Sequence, residues 1–433
     1  MLNGTMDKDR FQKSIETAMH YVNVEARDKW RDFYYGRFMN GTITIVEDSM
    51  KATIAFVDGE AVKWYWGLPV TGIDIGVEAT GDGWDHFKDR RRSLNIGSNR
   101  GAAAKRGWDP QQALTQLGST LRLRQCAAPL AAMARMFSYA RDGILPFADE
   151  PERDNPAPIP DADIRGFYFR VNGVKIYAET NDGPDDQLTL VLLPTAGRDN
   201  RQYHDLMALF GKRFKIVSID MPGHGKSWPL AGNQVITEFH QYGDFVWDCV
   251  KALGLKNVMT AGTSMAGCIQ YYLAQQYPVK AVCVMQGVED TSGQSDTRTI
   301  DMLWHPQVSC QHSHLEVTEG LIGRRTSQDR RDFIYWGVMT ETGIVKQGDW
   351  LELLSFNVRD GMDKITCPVL IIQGADDQSY TPYMSQRSQE LLVNAAYVER
   401  KLIPGYGHFI PVESPESCYA CLDEFITDHV LKT

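Results

Sequence analysis

The residues with the clearest chemical potential begin at a serine. In the segment 257–267, NVMTAGTSMAG, an apolar strand-like run meets a Gly-x-Ser turn and then a helical pattern, which would lift the Ser264 hydroxyl above a sheet edge. Taken alone, such a serine also reads as an ordinary loop residue. A serine hydroxyl ionises far above neutral pH, so it attacks a carbonyl only with a base beside it. His408, in GYGHFIPVESPE, is the candidate base, because imidazole accepts and returns a proton near neutrality. Asp377, three residues after Gly374 in PVLIIQGADD, would fix the imidazole tautomer and stabilise its charged form. The acid has rivals: Asp376 adjoins it, and Glu289 and Asp290 follow a strand-like run ending at Gly287. Spacing favours Asp377.

These residues need a frame that brings them together from three distant segments. From residue 165 onward strand and helix patterns alternate, which implies a mostly parallel sheet covered by helices. GFYFRV and VKIYAE form a hairpin turning at Asn172-Gly173. Further strands are expected at 188–194, 214–220, 257–262, 281–287, 368–374 and 397–404. Helices are expected around 200–210, over 238–253, from Ser264 onward and from Ser414 onward.

The order Ser264, Asp377, His408, each after a strand, resembles the α/β-hydrolase superfamily. The elbow is a variant, with Ala266 at the usual second glycine and Gly267 following. The resemblance implies an eight-stranded, mostly parallel sheet flanked by helices, with an oxyanion hole made by two backbone N–H groups. Met265 would supply one and Ala196, in Pro194-Thr195-Ala196-Gly197, the other; Thr195 stands where relatives carry glycine, and its hydroxyl would add a polar contact. The stretch from Asp220 to Ser227, DMPGHGKS, resembles the superfamily's loop after its fourth strand, where His224 has an architectural role.

Between Val288 and about Ile365 the alternation gives way to helical patterns rich in aromatics, resembling the lid of superfamily members. Trp304, Tyr335, Trp336 and Trp350 there, with Thr195 and with Phe409 beside the base, are the candidate substrate contacts, in a pocket that excludes water. For each lid aromatic the plainer reading is the lid's own small core. Cys310, His312 and His314 read as solvated surface rather than a metal site.

Prolines and acidic residues in 146–164 mark an extended connector, so the chain divides into an α+β domain at 1–145 and the hydrolase-like domain at 165–433. In the first, residues 8–35 read as an amphipathic helix with Phe11, Ile15, Met19 and Val22 on one face. Strands follow in GTITIVED, in KATIAFVDGEAVKWYWG with a turn at Asp58-Gly59, and in TGIDIGVEA. A helix near Gln111 to Leu117, a strand LRLRQC and a helix from Pro129 to Tyr139 complete the set. The succession, with Trp84 after the third strand, resembles the sterol-carrier-protein-2-like fold. That resemblance implies an apolar tunnel or a wall of the pocket; the alternative is a docking module that makes a homodimer. The basic residues from Lys88 to Arg92, with Arg100, Lys105 and Arg106, read as a solvated face.

Composition narrows the partners. A formal charge of -10 argues against nucleic acid or an anionic membrane surface. No run approaches the roughly 18 apolar residues of a membrane span, and the first residues lack the apolar core of a signal peptide, so a soluble cytoplasmic protein is expected. The eight cysteines, among them Cys249, Cys268 and Cys283, read as buried thiols, and the Cys418-x-x-Cys421 pair lies in a helical pattern with no second ligand pair. The expected function is hydrolysis of an ester or lactone in a bulky hydrophobic small molecule through an acyl-enzyme, needing neither metal nor cofactor. Aspartate-nucleophile chemistry, as in dehalogenases and epoxide hydrolases of the superfamily, is disfavoured by Ser264. C–C bond hydrolysis of the meta-cleavage type, acyl transfer, and lipid binding by a chain with an inactive hydrolase half are the alternatives.

Overall fold

The computed structural model describes residues 7–79 apart from 29, 32–35 and 37–38; 114–117; 133, 136, 137 and 139–141; 153–292 apart from 162; and 315, 318 and 321–432 apart from 378. Its contacts separate two compact units, 1–151 with 302–320, and 152–301 with 321–433.

In the first unit, helix α1 (Lys8–His20) starts at Asp7, whose carboxylate accepts the Arg10 N–H at 2.8 Å. Past His20 the helix widens into a π-turn over 21–25. Strands β1 (Gly41–Glu47), β2 (Met50–Val57) and β3 (Glu60–Trp66) form a meander, β4 (Ile75–Ala79) pairs parallel to β1, and β5 (Leu114–Leu117) pairs antiparallel to β4. Asp58 and Gly59 both take positive φ, the geometry of a two-residue turn between β2 and β3. The apolar face of α1, with Phe11, Ile15 and Ala18, and Val22 of the π-turn pack with Ile43, Ile45, Ile54 and Phe137. One expectation fails here: 114–117 is a strand, not a helix, because Gly76–Ala79 offers it a ladder that local periodicity cannot reveal. The expected strand LRLRQC, the Trp84 segment and the basic residues from Lys88 to Arg106 lie outside the described residues.

The second unit has the α/β-hydrolase fold. Its eight-stranded sheet has the order β13-β12-β11-β10-β8-β9-β7-β6. Strands β6 (Arg165–Val171) and β7 (Val174–Thr180) form the antiparallel edge hairpin, turning at Asn172 and Gly173, both at positive φ. From β8 (Thr189–Leu193), helix α2 (His204–Phe210) leads to β9 (Lys215–Ile219), and α3 (Phe239–Ala252) leads to β10 (Val258–Thr263). Helix α4 (Met265–Gln276) leads to β11 (Ala281–Met285). Two helices, α5 (Gln328–Met339) and α6 (Gly343–Ser355), precede β12 (Val369–Gly374). Then come α7 (Pro382–Glu390), β13 (Val398–Ile403), α8 (Ile410–Glu413) and α9 (Pro415–Phe425).

Strands β8 to β13 run parallel, the flanking β7 runs antiparallel to β9, and β8, β10, β11 and β12 are buried along their whole length. Alternate side chains therefore feed two cores, one containing Val191, Val217, Ile269 and Val284, the other Leu190, Leu192, Met259, Ile372 and Phe425. The thiols of Cys418 and Cys421 lie in α9 against the second of these. Among the described residues no helix is long and apolar enough to cross a membrane.

Candidate active site

Ser264 follows β10 and caps α4 with φ 61° and ψ −119°, a conformation disfavoured for a residue bearing a Cβ. The bend leaves no space at its flanks: a Cβ on Gly262 would sit 2.4 Å from the Ala266 carbonyl oxygen, and one on Gly267 would sit 2.5 Å from that of Met285. Ala266 itself is fully buried, so the variant second position is filled rather than strained.

His408 lies in the loop after β13. Its Nδ1 is 2.7 Å from Asp377 Oδ2, and its Nε2 is 2.8 Å from Ser264 Oγ. A carboxylate only accepts, so Nδ1 carries the proton and Nε2 is free to accept from the serine hydroxyl. The other oxygen of Asp377 accepts the N–H groups of Ser379 at 2.8 Å and Tyr380 at 3.1 Å. Tyr380 and Phe409 flank the imidazole, each with its ring centroid 5.4 Å away. All three hydrogen-bonded residues are at most 5% exposed.

The rival carboxylates are engaged elsewhere. Asp376, one residue away, faces the other side of the turn and accepts from Arg324 Nε at 2.7 Å. Glu289 accepts from Ser388 Oγ at 2.5 Å and pairs with Arg387 and Arg359. Asp290 holds the N–H and hydroxyl of Ser292.

Met265 is the first residue of α4, where the helix itself provides its N–H with no acceptor. Ala196 follows β8 in a loop whose Thr195 N–H donates to Gln202 Oε1 at 3.2 Å. Both residues are buried. The loop after β9 is held through Asp220, which accepts the N–H groups of Asn200 and Lys226 at 2.8 and 2.9 Å. Burial lifts the Asp220 carboxyl to about 7 against the pull of these donors.

Beside Phe409 lies an open recess walled by Phe333, Ile334 and Trp336 of α5, by Val412, and by the polar Arg198, Asp199 and Gln202. Trp336 and Phe409 thus meet the same space, whereas Tyr335 and Trp350 are half-buried and do not line it. Trp304 lies outside the described residues, as do Cys310, His312 and His314. Arg201 stacks on Trp336 at 4.0 Å while paired with Asp199.

Three charged residues were not singled out by the sequence. Glu413 accepts the N–H groups of Gly407 and Phe409, on either side of His408, at 2.9 and 2.7 Å, together with Gly323 N–H and Thr326 Oγ1. Lys346 and Asp349 of α6 reach the Ala196–Gly197 peptide. Glu413 stands five residues after His408, a spacing that could have flagged it; nothing local marks the other two.

Residues 190–420, just over half of the chain, match the sequence model of the alpha/beta hydrolase family, and the chain belongs to that family. One relative, (E)-2-((N-methylformamido)methylene)succinate hydrolase of Acinetobacter baylyi, is 25% identical over 242 residues, which are 52% of this chain and 86% of the relative. Among solved structures, the enol-lactonase from Burkholderia xenovorans LB400 aligns with a TM-score of 0.52 at 17% identity, covering 60% of this chain and 100% of its own. The esterase EaEST from Exiguobacterium antarcticum aligns at 0.53 and 18% identity, covering 61% and 100%. These two are likenesses of fold.

Proposed function

We propose that the chain is a serine hydrolase that cleaves an ester or lactone in a bulky, largely apolar small molecule. The observation that carries the reading is the buried hydrogen-bonded series Ser264–His408–Asp377, with the serine held in a strained turn. In this reading Ser264 Oγ attacks the carbonyl carbon as its proton passes to His408 Nε2, and Asp377 stabilises the resulting imidazolium. The N–H groups of Met265 and Ala196 hold the oxyanion. Collapse expels the alcohol oxygen, which takes the proton from His408. Water, deprotonated by His408, then releases the acid.

The recess walled by Phe333, Ile334, Trp336 and Phe409 supports an apolar acyl or alcohol group, and α5, which walls it, belongs to the lid in this reading. In this reading the N-terminal unit, of sterol-carrier-protein-2-like type, holds an apolar tunnel of its own.

A fluorophosphonate probe tests the reading. Labelling at Ser264, lost in Ser264→Ala and in His408→Ala, is the expected result. Esters and lactones graded by ring size and apolar bulk then test the substrate class; turnover confined to short acyl esters would overturn the bulky-substrate claim.

A further inference from the structure

The Ala196–Gly197 peptide is gripped at both ends by one helix. Its carbonyl oxygen, on Ala196, accepts from Lys346 Nζ at 3.1 Å, and its N–H, on Gly197, donates to Asp349 Oδ2 at 2.6 Å. Lys346 and Asp349 lie three residues apart on α6, so they share a face. The grip is close: Gly197 has φ +71°, and a Cβ there would meet side-chain atoms of Glu341 and Lys346 at 2.9 Å.

Each gripping charge is itself held. Lys346 Nζ is 3.1 Å from Glu341 Oε1, and the same oxygen is 3.1 Å from Arg198 Nε, in the same loop as Ala196. Asp349 Oδ2 also faces His224 Nε2 at 2.9 Å, and His224 Nδ1 is 3.2 Å from the Pro222 carbonyl oxygen. Both ring nitrogens thus face acceptors, as an imidazolium requires. Burial works against that charge, but Asp349 and the Pro222 carbonyl outweigh it and raise the His224 pKa above its ordinary value. One buried carboxylate oxygen therefore ties α6 to the loop after β8 and to the loop after β9.

We propose that Lys346 and Asp349 are positioning residues that fix the oxyanion-donating Ala196 N–H, so that the seating of α6 sets the catalytic competence of the site. The geometry dictates this because the Ala196 N–H belongs to the adjoining peptide. Holding the Ala196–Gly197 peptide at both its oxygen and its N–H anchors Ala196 on one side of its Cα, and releasing it lets the loop, with the donor on the other side, shift off the oxyanion. An oxyanion donor acts only when it is already aimed at the position the charge will occupy. The inference rests on the serine-hydrolase reading above.

The test uses the full-length chain and the variants Lys346→Met, Asp349→Asn and Lys346→Arg. Complete removal of one oxyanion donor costs about 10²–10³ in kcat, so a donor left in place but no longer aimed should cost about 10- to 100-fold. Lys346→Met and Asp349→Asn are expected to lower kcat by that factor, with KM within about threefold. The affinity for an aryl boronic acid, which forms a tetrahedral adduct on the serine, should fall in parallel. Lys346→Arg, which keeps a donor to Ala196 oxygen, should recover most of the loss. Variants that are folded and keep kcat within about twofold, or that lose kcat while binding the boronic acid as tightly as wild type, would overturn the inference. Wild-type protein that takes no fluorophosphonate label would overturn the serine-hydrolase reading, and the inference with it. Labelled wild type with fully active variants overturns the inference alone. Lys346→Met removes no partner of His224, so it remains decisive if Asp349→Asn fails to fold.

Discussion

Replacing Glu413 by glutamine should damage stability and turnover together. Its carboxylate is fully buried and surrounded by four donors: Gly323 N–H at 2.7 Å, Gly407 N–H at 2.9 Å, Thr326 Oγ1 at 2.6 Å, all on Oε2, and Phe409 N–H at 2.7 Å on Oε1. All four donate and none accepts, so the cage fits an ionised carboxylate, while burial outweighs these donors and leaves the pKa above its ordinary value. A glutamine with its oxygen at the Oε2 position keeps three partners and turns its NH₂ against the Phe409 N–H. One buried donor left unsatisfied costs about 1–3 kcal/mol, and the three remaining bonds lose charge assistance worth roughly 0.5–1 kcal/mol each. Relief from burying a charge offsets part of this, leaving an expected loss of about 2–4 kcal/mol. Gly407 and Phe409 bracket His408, so the imidazole loses its fixed approach to Ser264, and kcat should fall about tenfold or more under conditions where the variant is fully folded. Urea unfolding and steady-state ester hydrolysis read the two effects. A variant with an unchanged unfolding midpoint, or one destabilised as expected but with wild-type kcat, would refute the idea that this carboxylate aims the histidine.

Asp377→Asn should lower kcat by about 10³–10⁴, as expected when a triad imidazole is left in the wrong tautomer. Glu289→Gln should leave kcat near wild type and cost about 1–3 kcal/mol in urea unfolding, by freeing Arg359 and Arg387; the opposite pattern would move the acid to Glu289. Asp220 supplies a pH test. Its folded pKa of about 7 stands above the ordinary 3.8, so the native state keeps a proton that the unfolded chain releases. Stability should therefore fall as pH rises from about 4 to about 7 and level off above, and Asp220→Asn should flatten that slope in urea midpoints taken across the range. Trp336→Ala should raise KM for a bulky aryl ester by about tenfold through lost apolar contact while leaving that of a short acetate ester nearly unchanged, and equal effects on both would place the substrate elsewhere.

Local signals made much of the second unit legible. The Asn172-Gly173 turn, the strand runs and the tight bend at Ser264 depend on neighbours within a few residues, and each stands close to its expected bounds. Where the deciding partner is distant, reading along the chain fails. The segment 114–117 pairs with 76–79, and its four residues carry too short a pattern to declare a strand. Spacing favours Asp377 over the adjacent Asp376 but does not show what either carboxylate faces. Only the turn after β12 shows one facing Arg324 and the other His408.

The same limit explains why the partners of the charged residues around the site could not be read along the chain. The bond from Gly197 N–H to Asp349 spans 152 residues, and that from Gly323 N–H to Glu413 spans 90. In a helix such as α6, a lysine and an aspartate three apart look like a solvated surface pair. They can be read otherwise only once the helix is seen to lie over the loop after β8, with Asp349 2% exposed. In the serine-hydrolase reading the reacting residues follow strand ends that the alternating pattern dictates, so they announce themselves. Lys346 and Asp349, which hold the Ala196–Gly197 peptide, come from the segment between β11 and β12, whose placement no strand dictates, and a structure is needed to find them. Substitutions on α6 should consequently alter turnover without touching any motif of the family.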